Sequence, residues 1–120
     1  MKNLHLIVSI MIVMPTALIY GTPSMLSHQL DIEVNTIDLA NMLKATMALY
    51  LGCSFIWLLG ILKHGYWIFA TALNIIFMLT LSAGRGWSMV VDGCPTRGYV
   101  FGIVAEFTIG IYAVYQLKSN

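Results

Sequence analysis

Four long apolar runs leave this chain few folds to choose from. Leu4 to Tyr20 holds 17 residues without a formal charge, and Ala45 to Leu62 holds 18. Tyr66 to Ala83 is also uncharged, and Tyr99 to Leu117 carries a single charge, Glu106. About 17–25 such residues span a bilayer as an α-helix. Composition agrees: 59% of residues are hydrophobic and 9% charged, against roughly 25% charged in a soluble domain. A soluble fold this small would leave too much apolar surface in water. The sequence therefore predicts an all-α membrane protein, a single antiparallel bundle of four transmembrane helices over residues 1–120.

The expected spans are 4–20, 38–62, 66–83 and 99–117. The first run is read as a retained helix. Lys2 would suit a signal peptide, but the run is long for one, and Ala17-Leu18-Ile19-Tyr20-Gly21 lacks a small-x-small cleavage pattern. Pro15 should bend this helix toward its far end. Thr36 or Asp38 can cap the second span. Lys63-His64-Gly65 is so short a turn that spans two and three must be antiparallel neighbours. Longer polar connections are expected at 21–38 and 84–98. Lys2, Lys63 and Lys118 fall on one side, with Arg85 and Arg97 on the other, joined by Lys44 if it reaches that far. That asymmetry places both termini in the cytoplasm.

Several functions are disfavoured. The formal charge is +1 and basic residues form no run, so a nucleic-acid surface is not expected. Cys53 and Cys94 make no C-x-x-C pair, and His5, His28 and His64 are scattered, so no metal site is expected. Ser54, Ser82 and Ser88 lack the company a catalytic triad needs. No catalytic residue and no cofactor motif emerges.

What remains is a set of polar residues in costly places. An ionisable group inside a span costs roughly 2.5–3.5 kcal/mol on insertion scales. Lys44 lies about five residues into span two, about 7–8 Å deep, and Glu106 about seven residues into span four, about 10 Å deep. Opposite charges at one level on different helices should pair. Gly102, Glu106 and Gly110 recur at intervals of four, with Ala105 and Ala113 beside them, which turns Glu106 toward another helix. Asn41, Lys44, Ala48 and Gly52 form a similar stripe on span two. Asn74, Met78, Leu81 and Arg85 share a face of span three. Two readings stay open. Lys44 and Glu106 form a structural ion pair completed by Asn41, Arg85 and Asp92. Alternatively, Lys44 and Arg85 hold an anion or polar head group in an outward-facing pocket while Glu106 handles a proton.

Asn41-Met42-Leu43-Lys44-Ala45, followed by Leu49-Tyr50-Leu51-Gly52, resembles the second-helix signature of a family of small four-helix bacterial membrane proteins of unknown function. Lys44 stands where Arg is more usual, and Ala48 where the first Gly is. Gly84-Arg85, Ser88, Asp92-Gly93 and Pro95 are similar to that family's third-helix exit and loop, and Glu106 to its fourth-helix acid. The likeness runs from about Thr36 to Gly110. More loosely, the architecture is similar to DoxX-like membrane proteins, some of them linked to quinone-dependent redox complexes and some to the assembly of other membrane proteins. The resemblance implies a bacterial inner membrane and adds Ser88 to Asn74 as a secondary site residue, but it implies no reaction. The expected role is a non-enzymatic accessory, assembly or interaction protein, with the lipid bilayer and either a membrane-protein partner or a second copy of itself as partners. The alternative is a binder, carrier or redox-linked protein for a small anionic or lipid-like ligand.

Overall fold

The computed structural model describes residues 3–29, 32–95 and 97–119, with the side chains of Gln29 and Gly98 left aside. The order of elements is α1 (Leu4–Gly21), α2 (Pro23–Gln29), α3 (Ile37–Leu62), a 3-10 turn (His64–Tyr66), α4 (Trp67–Asp92) and α5 (Arg97–Ser119). The fold is an all-α four-helix bundle. Among the described residues, four helices, α1, α3, α4 and α5, are long and apolar enough to cross a membrane. The longest dimension, 45 Å, matches a bilayer of about 40–45 Å with its head-group regions. Met11 is 70% exposed and Phe101 76% exposed. Side chains of that kind, ringing the bundle, belong against acyl chains and mark a multi-pass membrane protein.

Local chemistry sets the helix ends. Thr36 caps α3, its hydroxyl accepting from Leu39 N–H at 3.1 Å and satisfying one of the free amides of the first turn. The Lys63 N–H closes α3 onto Leu59 O at 2.8 Å, and the 3-10 turn reverses the chain into α4. Span three is longer than the sequence predicts. Gly84, Gly86 and Ser88 read as the start of a loop, yet α4 continues to Asp92. Glycine weakens a helix only modestly, and in an apolar solvent every backbone amide still needs an internal partner. Gly93 at φ +106° ends the helix, a backbone geometry that L side chains rarely adopt. The connection after α1 also differs from the expected polar loop: α2 lies there, with Leu26 fully buried.

Packing is uneven around the bundle. α1 runs along α3, and α5 along α4, each pair in extensive contact; α3 and α4 join the two pairs. α1 touches α4 and α5 only slightly. Buried positions explain the rotations. Along α3 they are Leu43, Tyr50 and Trp57, at intervals of seven, with Cys53, Ser54 and Gly60 alongside. Along α1 they include His5, Ser9, Val13 and Ala17, at intervals of four. The packing thus leaves α1 loosely joined to both α4 and α5.

Candidate functional site

Arg85 sits seven residues before the end of α4, about 10 Å inside the helix at 1.5 Å per residue. Its Nη1 donates to Glu106 Oε2 on α5 at 2.9 Å, forming an ion pair. Its Nη2 donates to the Tyr20 hydroxyl on α1 at 2.9 Å and reaches the Tyr50 hydroxyl on α3 at 3.5 Å. The Tyr99 ring lies 5.3 Å from the guanidinium carbon, a cation–π contact. One side chain thus ties all four long helices together. Tyr50 is held in turn by edge contacts to Tyr20 and Phe77, with ring centroids 5.6 and 5.0 Å away. Gly102 makes room for the guanidinium: a Cβ there would stand 3.0 Å from Nη1.

The ion pair forms the floor of a cavity of about 370 Å³ between α1 and α5, within the range of roughly 300–1,000 Å³ usual for small-molecule sites. Ile12, Val13 and Ile19 line one wall, Phe101 and Ala105 the other. The Glu106 side chain is only 7% exposed. Its second oxygen, Oε1, is buried and has no hydrogen-bond partner among the described residues. A second groove of about 340 Å³, between α4 and α5, is lined almost wholly by apolar groups, with Ser82 as its one hydroxyl. It offers a ligand little to hold.

Of the residues singled out from the sequence, Arg85 and Glu106 come together. The expected Lys44–Glu106 pair does not form, because Arg85 takes Glu106 instead. Lys44 follows the buried Leu43 by one residue, a rotation of about 100° on an α-helix, and is exposed on the outside of α3 together with Asn41, Ala48 and Gly52. About seven residues from the start of α3, it can extend its ammonium to the interface. Lys44→Met should therefore change unfolding stability by no more than about 0.5 kcal/mol, measured by denaturant titration in mixed micelles. Asp92 and Ser88 lie exposed at the C-terminal end of α4, where the Ser88 hydroxyl donates to Asp92 Oδ2 at 2.9 Å; neither reaches Glu106. Tyr20, Tyr50 and Tyr99 were not singled out as site residues. Interfacial tyrosines are expected in any membrane protein, so only the helical spacing of four and then three residues from Val13 through Ala17 points to Tyr20.

Asn74 belongs to a different polar cluster, near the other end of the bundle. Its Nδ2 donates to Ser9 Oγ at 2.7 Å, Ser9 Oγ donates to His5 O at 2.7 Å, and His5 Nε2 is hydrogen-bonded to Thr71 Oγ1 at 2.9 Å. The four residues are buried to within 1%. Edge contacts from Trp67 and Tyr112 hold the His5 ring. The cluster pins α1 to α4. His5→Phe keeps the ring contacts and removes one hydrogen bond, and Thr71 can turn back to its own helix. A loss of about 1 kcal/mol is expected, read in the same titration. Among the described residues, no group of three or more His, Cys, Asp or Glu side chains could hold a metal ion.

A family model described as a domain of unknown function, DUF4345, matches residues 1–117. No curated protein and no solved structure matches the chain.

Proposed function

The chain belongs to the DUF4345 family, a domain of unknown function, so the reading must come from the site, and we propose an intramembrane receptor for an amphiphilic molecule. The guest enters sideways from the bilayer between α1 and α5, with its polar head on the Arg85–Glu106 floor and its apolar body along the walls. The observation that carries this is the cavity itself: apolar walls converging on a hydrogen-bonding floor, in a sparsely packed seam of the bundle. A purely structural ion pair would need no such space beside it. An anion receptor built on Lys44 and Arg85 is less well supported, since Lys44 faces outward and Arg85 is already neutralised. This reading keeps a bacterial inner membrane, with both termini cytoplasmic on the lysine asymmetry. The site then lies in the outer half of the bilayer.

The test is extraction from native membranes in polymer discs, without detergent exchange, followed by native mass spectrometry. The wild-type protein should retain an amphiphile of defined mass. Ala105→Phe, which fills the cavity, should lose it while thermal stability changes little. Should the wild type and Ala105→Phe carry the same lipids in the same amounts, the receptor reading fails.

A further inference from the structure

The chemistry of the head group can be read from which atoms of the floor are already taken. We infer that the site selects an uncharged lipid bearing a free hydroxyl, of the kind an acylglycerol presents; this rests on the receptor reading above. Arg85 has its counter-ion at 2.9 Å and a tyrosine hydroxyl at 2.9 Å, with an aromatic ring beside it. A phosphate or carboxylate head would find that cation compensated and would meet the Glu106 carboxylate at close range. A cationic head would meet the guanidinium. Charge of either sign is opposed inside an apolar wall, where such repulsion is poorly screened.

One oxygen of the ion pair is left wanting a partner. Glu106 lines the cavity, and its buried Oε1 accepts no hydrogen bond among the described residues. Buried acceptors in native structures are nearly always satisfied, so each exception calls for a missing donor. A hydroxyl supplies that donor and carries lone pairs of its own to accept from the tyrosines alongside. Ile12, Val13, Ile19 and Phe101 then cover the first part of the chains, and the open side of the cleft lets the rest run into the bilayer.

The experiment uses the full chain in phosphatidylcholine nanodiscs doped in turn with three probes. These are dioleoylglycerol, its 3-acetyl ester (the same body without the donor) and dioleoyl phosphatidic acid. Occupancy is read by native mass spectrometry. Wild-type protein should hold dioleoylglycerol about tenfold more tightly than the acetate, the factor that 1.4 kcal/mol corresponds to. The double variant Arg85→Met/Glu106→Leu should hold both alike. Equal retention of alcohol and acetate by wild type, or a water molecule alone on Oε1, overturns the hydroxyl assignment. Preference for phosphatidic acid overturns it too, while leaving the receptor reading in place. If no probe is held and Ala105→Phe changes nothing, both readings fall. The comparison of alcohol with acetate needs only wild-type protein, so the assignment stays testable even where the double variant does not fold.

Discussion

Arg85→Met is expected to destabilise the bundle by about 3–5 kcal/mol, because it leaves the Glu106 carboxylate buried with no cation beside it. Glu106→Leu should be milder. It strands Arg85, but that side chain is 18% exposed and keeps its tyrosine hydroxyls and the Tyr99 ring. The double variant Arg85→Met/Glu106→Leu should be less destabilised than Arg85→Met alone, since no unpaired charge remains and apolar replacements can suit the site. Unfolding by sodium dodecyl sulfate in mixed micelles, followed by helical circular dichroism, gives all three values on one scale. An Arg85→Met protein as stable as Lys44→Met would mean that Glu106 is not held as a buried ion at all.

The second large effect is steric. At Gly60, α3 and α4 approach so closely that an added Cβ would overlap the Cβ of Ala70, with Leu6 Cδ1 at 3.4 Å and Tyr66 O at 3.5 Å. The clashing atom is fixed to a helix backbone and cannot swing away, so the hairpin must part. Gly60→Val should lose about 3 kcal/mol, the upper part of the usual range for overpacking. Gly110 also meets a neighbour, Leu79 Cδ2 at 2.5 Å from an added Cβ. A leucine end can change rotamer, so Gly110→Ala should lose less. Gly52→Val should be near neutral, because nothing lies within 4 Å of the added atom. A Gly60→Val protein as stable as Gly52→Val would show that the α3–α4 approach is looser than this.

These variants also separate what the sequence makes legible from what it does not. Span number, and the approximate bounds of every span but the end of the third, follow from length and apolar content alone. The inward face of α5 was legible too: the four-residue spacing of small residues around Glu106 places Glu106, Gly110 and Ala113 in the interior. The face of α3 was not. Asn41, Lys44, Ala48 and Gly52 look like a packing stripe, but the side chains that enter the core are larger ones, Leu43, Tyr50 and Trp57. Small residues mark close approach only where a second helix is present, and among the described residues Asn41, Lys44, Ala48 and Gly52 are all exposed. The partner of Glu106 was missed for a related reason. The sequence puts Arg85 at the end of span three, where Gly84 opens the connection expected over 84–98. Once α4 continues to Asp92, the same residue lies well inside, at the depth of Glu106. In the sequence His5 reads as one of three scattered histidines. Its four-residue spacing with Ser9, Val13 and Ala17 is the signal that would have placed it inside.

Pro15 has a mechanical consequence. It has no N–H to donate to the Met11 carbonyl, so α1 lacks one rung of its hydrogen-bond ladder. One residue on, the Thr16 hydroxyl donates to Ile12 O at 2.8 Å, a back-bond of the kind that bends helices. Ile12, Val13 and Thr16 all line the cavity. Stiffness along α1 is thus lowest at the turn forming that wall. Any widening of the cleft would therefore strain this turn of α1 first.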